Sequence, residues 1–266
     1  MFRTRFISGI VLIIIALVFI IMGGTLLLTG LCIISIIGLF EFYRIFHIEK
    51  TILGYLGYCG AVLYYLDLYA GYLPDRMIYV LGMLVLFMAA YVFAFPQFKA
   101  DQILAAFFGI FYVVAMLACI YQIRMLSTGA YIVWLAFICS WGCDTCAYCV
   151  GVSIGKHKLA PQLSPKKSVE GAVGGVVGAI FLTIIYGFVF QKAMGITVPL
   201  IYAMASISGI GALISMIGDL AASAIKRNYG IKDYGKLIPG HGGILDRFDS
   251  VIFTAPIIYY LSLYLM

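Results

Sequence analysis

Long apolar stretches separated by short polar breaks organise this chain of 266 residues. Within them apolar positions follow one another without the every-second-residue alternation of a transmembrane strand, whose segments run to about ten residues. A spanning helix needs about 20 apolar residues, and these stretches are of that order. Candidate spans fall at about 6–22, 23–46, 52–71, 77–95, 102–123, 129–150, 171–191, 197–217 and 250–266. The first two are divided at Gly23-Gly24, because an apolar run from 6 to 46 is too long for one crossing. The pattern predicts an all-α polytopic membrane protein with about nine transmembrane helices and polar loops on the cytoplasmic side. Gly23-Gly24 leads into further apolar sequence, so the first span is expected to remain in the protein instead of leaving as a signal peptide.

Composition narrows the picture further. The chain is 64% hydrophobic and 11% charged, whereas soluble domains carry about a quarter charged residues. Its 29 glycines show no three-residue period, which excludes a collagen-like chain. A net charge of +6, from 17 Lys+Arg against 11 Asp+Glu, would suggest nucleic acid in a soluble protein. In a membrane protein it reports orientation and anionic lipid, and no nucleic-acid partner is expected. With the N-terminus in the cytoplasm, only Arg76, Arg124 and Lys192 fall on the outer side, and every other Lys and Arg falls inside. An eight-span count would break this alternation, so the bias supports both the topology and the number, and the protein is expected in the inner membrane of the cell with its polar loops in the cytoplasm.

Polar groups are unevenly distributed between two halves. Residues 1–125 read as a transmembrane scaffold, in which Glu41, Asp67 and Asp101 are expected to cap or snorkel near helix ends. Residues 126–266 read as the catalytic half, because its two longest polar loops, 155–170 and 226–249, hold more than half of the 17 basic residues. Cys139, Cys143, Cys146 and Cys149 resemble part of an iron–sulfur pattern. They lie inside an apolar span, however, with 139, 143 and 146 on one helical face, which favours packing over a cluster.

The chemistry lies in carboxylates set among cations. Asp144 and Asp219 each continue an apolar span near its cytoplasmic end, where a carboxylate needs a partner or a cavity. Asp246 and Asp249 head the last span at i, i+3 spacing, which places both on one helix face. Ser164-Pro165-Lys166-Lys167-Ser168 supplies ammoniums and hydroxyls, and Pro239-Gly240-His241-Gly242-Gly243 supplies unobstructed backbone beside a helix start. Magnesium takes one or two carboxylates plus phosphate oxygens, and Lys and Arg neutralise the remaining phosphate charge. Converging carboxylates and cations therefore suit a magnesium-dependent reaction of phosphates.

These residues carry a resemblance. Ser223-Ala224-Ile225-Lys226-Arg227, Lys232-Asp233-Tyr234-Gly235 and Ile238-Pro239-Gly240-His241-Gly242-Gly243-Ile244-Leu245-Asp246-Arg247-Phe248-Asp249 resemble the signature of the phosphatidate cytidylyltransferases, the CDP-diacylglycerol synthases. Asp144-Thr145, Gly155-Lys156-His157-Lys158-Leu159, Leu163-Ser164-Pro165-Lys166-Lys167 and Glu170-Gly171 are similar to other recurring segments of that family, so the likeness covers about 141–254. It implies that the phosphate of phosphatidic acid attacks the α-phosphorus of CTP, forming CDP-diacylglycerol and releasing pyrophosphate. A phosphate monoester is already ionised near neutral pH, so positioning and charge neutralisation suffice without a general base. The resemblance assigns Asp144, Asp219, Asp246 and Asp249 to Mg2+ and a second metal ion, with Lys226 and Arg247 joining Asp219 and Asp246 in catalysis. Lys166, Lys167, Ser223, Arg227 and His241 would bind CTP or the lipid, and the family implies a homodimer. Two other classes stay open at this level: a secondary transporter using Asp144 and Asp219 as ion sites, and a lipid kinase using CTP.

Overall fold

The computed structural model describes residues 2–240 and 242–265, and the side chains of 9–240 and 242–264. Every one of the predicted spans falls on a helix. In chain order these are α1 (Phe2–Met22), α2 (Gly24–Ile45), α3 (Ile52–Ala70), α4 (Arg76–Phe93), α5 (Ala100–Gly109), α6 (Met116–Arg124), α7 (Gly129–Phe137), α8 (Cys143–Ile154), α9 (Val169–Met194), α10 (Val198–Asn228) and α11 (Leu245–Leu265). A π-helical turn, Ile110–Ala115, joins α5 to α6, and another, Ile138–Gly142, joins α7 to α8, so each pair makes one long helix. Among the described residues six stretches are long and apolar enough to cross a membrane: Gly24–Ile45, Arg76–Phe93, Ala100–Arg124, Gly129–Ile154, Val169–Met194 and Val198–Asn228. The chain is thus a helical membrane protein. Six such stretches stand against nine predicted crossings, since 6–22, 52–71 and 250–266 are not among them, and two further features differ from the predicted pattern. The loop at 155–170 contains an antiparallel hairpin, β1 (Lys158–Ala160) with β2 (Ser164–Ser168). Helix α10 continues past the predicted end at 217 to Asn228, so Asp219, Ser223, Lys226 and Arg227 all lie on a helix.

The contacts divide the chain into two compact units, one of Met1–Tyr121 with Asp233–Arg247 and the other of Gln122–Lys232 with Phe248–Met266. The signature segment 233–247 therefore packs with the N-terminal helices. In this first unit Tyr43 of α2 is fully buried, and a Cβ at Gly57 of α3 or Gly109 of α5 would run into its ring. Its hydroxyl donates to the Ala106 carbonyl at 2.7 Å. Ser35 and Tyr65 share a second buried hydrogen bond at 2.9 Å. In lipid, where apolar burial between helices gains little, such close glycine contacts and hydrogen bonds of roughly 0.6–1.7 kcal/mol hold helices together. On α4 Val85, Leu86, Met88 and Val92 stay exposed, as expected of a lipid-facing helix.

In the second unit small residues set the packing of α8 on α9. Gly171, Gly175 and Gly178 of α9 lie against α8, at Ala147, Cys143 and Cys146 respectively. Cys139 and Cys143 are buried, the Cys139 thiol donating to Ser208 Oγ at 3.3 Å. These cysteines fill the space that glycines open, the behaviour of small apolar side chains. Ser208 also accepts from Thr183 at 2.8 Å, which links α9 to α10. Val173, Val177, Phe181 and Val189 leave the outer face of α9 exposed and apolar.

Candidate active site

The hairpin is held at its base by one carboxylate. Glu170, in the first turn of α9, accepts the Lys156 amide at 3.1 Å and meets His157 Nδ1 at 2.6 Å. The Val169 amide donates to the His157 carbonyl at 2.9 Å. Ser168 caps α9 by accepting the Gly171 amide at 3.1 Å, satisfying a helix-end donor. Side chains at Gly151 or Gly155 would press on the Ser168 hydroxyl, so the chain passes closely there only as glycine.

Between this hairpin, α8, α9 and α10 lies a cavity of about 540 Å3. Asp144, Lys158, Lys166, Lys167 and Asp219 line it with charge, and Tyr148, Val152, Leu159, Ala172 and Met216 with apolar surface. The π-helical turn Ile138–Gly142 immediately precedes α8 and Asp144, and buried Ser140 is hydrogen-bonded to Ser250 at 2.6 Å within it. Such wide turns insert a residue into the helical register and recur at functional sites.

Lys167 is the centre of the charged wall. Its ammonium pairs with the Asp219 carboxylate, each side chain about 25% exposed. Burial alone would lower the Lys167 pKa, but Asp219, with Asp144 and Asp249, outweighs it and holds the ammonium above its ordinary range. Lys226 Nζ lies 3.9 Å from Asp249 Oδ2, both nearly buried. Ser223 is buried on the same helix as Lys226. Arg227 is exposed, and its guanidinium donates to the Ile231 carbonyl at 3.3 Å, closing the C-terminal end of α10.

The first unit holds the remaining expected site residues. Asp246 is buried, and its Oδ2 accepts the Tyr234 amide at 2.8 Å and the Gly243 amide at 2.9 Å, folding segment 233–247 on itself. The Ile238 amide donates to the Gly242 carbonyl at 2.9 Å, and Gly240 and Gly242 take φ of 78° and 88°, a left-handed backbone suited to glycine. Arg247 follows in the first turn of α11, half-buried. The expectation for His241 lies outside the described residues.

Among the described residues no group of three or more His, Cys, Asp or Glu side chains is gathered closely enough to hold a metal ion by itself. The donor chemistry still suits magnesium, which is commonly bound by one or two carboxylates with substrate phosphates completing its shell. Asp144 and Asp219 both line the cavity and are the carboxylates there that could hold such an ion, and the Lys167 ammonium pairs with Asp219.

Two acids outside the expected site prove structurally central. Glu170 builds the hairpin, and its signal in the sequence is its place at the end of the basic loop 155–170. Glu41, expected from the sequence to cap or snorkel, is instead buried and receives the Ile244 and Leu245 amides at 3.1 and 2.8 Å. Its signal was an acid in an apolar run, where ionisable residues are costly.

Residues 3–265 match the profile of the cytidylyltransferase family. The chain is 38% identical over 141 residues to a phosphatidate cytidylyltransferase of Bacillus subtilis (strain 168), a match spanning 53% of this chain and 51% of that protein. This match therefore spans about half the length of that relative. A phosphatidate cytidylyltransferase of Staphylococcus aureus (strain COL) is 29% identical over 270 residues, covering 96% of this chain and 97% of the relative. One from Staphylococcus haemolyticus (strain JCSC1435) is 35% identical over 132 residues, about half of each chain (50% and 49%).

Proposed function

We propose a function on one premise: this chain belongs to the cytidylyltransferase family. It is a CTP-using nucleotidyltransferase that transfers CMP from CTP to phosphatidic acid, as its relatives are named for. A phosphate oxygen of phosphatidic acid attacks the α-phosphorus of CTP, the α–β anhydride bond breaks, and pyrophosphate leaves with the electron pair. CDP-diacylglycerol is the other product.

The observation that supports this reading most strongly is the Lys167–Asp219 pair at the wall of a cavity that Asp144 also lines. Magnesium, when bound, would neutralise phosphate charge and polarise the attacked phosphorus, and Asp144 and Asp219 would hold it. Asp246 and Asp249 complete the proposed carboxylate set. The residues supply the rest by position. Lys167 and Lys166, on the cavity wall, receive phosphate oxygens, and Lys226 and Arg247 remain the further cations proposed for catalysis. Ser223 stays with the substrate-binding set. Arg227, occupied at the end of its own helix, contributes field more than contact. The apolar flank at Val152, Leu159 and Met216 accepts the lipid side of the substrate. The Lys and Arg distribution supports an N-terminus and a hairpin on the cytoplasmic side, and the proposed location is the inner membrane.

Mass spectrometry of the lipid fraction tests the reaction. The predicted product is phosphatidic acid enlarged by a cytidine monophosphate unit, and a lipid enlarged by phosphate alone would replace this reading with a kinase.

A further inference from the structure

One face of α2 reaches across most of the sequence to segment 233–247. Gly38, Glu41 and Arg44 recur every three residues and share that face. Glu41 is 4% exposed, and its two carboxylate oxygens accept the Ile244 and Leu245 amides at 3.1 and 2.8 Å. These amides open α11, where backbone donors lack partners within the helix. Arg44 donates to the Tyr234 carbonyl on the other limb of the same segment. A Cβ at Gly235 or Gly243 would collide with the Glu41 carboxylate, so both limbs close directly upon it. Asp246 then ties the limbs to each other through the Tyr234 and Gly243 amides.

We infer that Glu41, supported by Arg44, is a positioning residue for cytidylyl transfer: from the N-terminal half it fixes the segment that carries Asp246 and Arg247. This rests on the function proposed above. A cap or snorkelling acid would be dispensable, whereas a buried carboxylate with two backbone donors leaves those donors unsatisfied when it is lost. Glutamine has the same shape, but it can offer its single carbonyl oxygen to one amide only while its NH2 opposes the other.

The experiment compares wild type, Glu41→Gln, Glu41→Ala and the exposed control Asp101→Asn as full-length protein in detergent micelles. Two readouts are taken: amide hydrogen exchange of peptides covering 233–247, and kcat and KM for CTP with phosphatidic acid. Glu41→Gln is expected to exchange the 244 and 245 amides about tenfold faster or more, and to lower kcat about tenfold or more with KM for CTP within about threefold. Glu41→Ala follows the same direction further, and Asp101→Asn changes neither readout. Faster exchange with wild-type kcat would overturn the positioning role, and so would unchanged exchange in Glu41→Gln. A fall confined to the yield of folded protein, with kcat per folded molecule intact, would also overturn it. Wild type that transfers no cytidylyl group would sink the reaction itself, while the exchange readout would still report whether Glu41 braces the segment.

Discussion

The Lys167 ammonium pairs with the Asp219 carboxylate, joining the second strand of the hairpin to helix α10 at the wall of the cavity. A lysine held in its charged form by three aspartates is a cation waiting among anions. The pair orders the site before substrate arrives, and triphosphate with magnesium gives both partners new counter-charges.

Lys167→Met should therefore cut turnover by about 10²–10³-fold, the range for loss of one preorganised charge stabiliser. Initial rates of CTP consumption at saturating phosphatidic acid measure this. Lys167→Arg keeps the charge in a different shape and should lose less. Equal rates in wild type and Lys167→Met would remove Lys167 from the chemistry.

Asp219→Asn and Asp144→Asn should each raise the magnesium concentration needed for half-maximal activity, because each removes a hard anionic ligand. Magnesium titration of purified variants checks it. Combined with Lys167→Met, Asp219→Asn should be non-additive, since the two side chains form one pair. An unchanged titration midpoint in both single variants would contradict the metal assignment.

Asp246→Asn separates two roles of one side chain. The asparagine carbonyl oxygen can still accept the Tyr234 and Gly243 amides, so the segment stays folded while a charge disappears. Turnover is expected to fall by about 10²-fold or more with unchanged amide exchange in 233–247. Normal turnover would confine Asp246 to bracing the segment.

Gly178→Leu should lower the thermal unfolding midpoint, because its side chain would enter the space that Cys146 occupies. Overpacking of this kind costs about 1–3 kcal/mol. Unfolding followed by intrinsic fluorescence in micelles measures it. Cys146→Ala, in contrast, should retain activity, as a packing residue would, whereas its inactivation would favour a thiolate role.

How far the sequence reaches is visible in particular residues. Apolar stretches of crossing length located the helices, because in lipid the backbone must satisfy itself and hydropathy alone marks where it does so. Asp144, Asp219 and the two lysines at 166–167 stood out as candidates because charge is scarce in a chain with 11% charged residues, and the fold brings them to one cavity. The hairpin was not legible: its strands are three and five residues long and rest on the Glu170 clasp, a contact across 13 and 14 positions. Glu41 was legible as an oddity but not as a brace, because its partners lie 203 and 204 residues away. The extension of α10 to Asn228 was hidden because hydropathy falls where the helix leaves the apolar layer, while its backbone hydrogen bonds continue.

The most direct measurement supplies purified full-length protein with phosphatidic acid and CTP labelled either in the cytidine or at the γ-phosphate, with and without magnesium. The account predicts cytidine label in the lipid only when magnesium is present, and γ-label released as pyrophosphate in equal amount. γ-Label in the lipid, or cytidine transfer undiminished without any divalent ion, would contradict it.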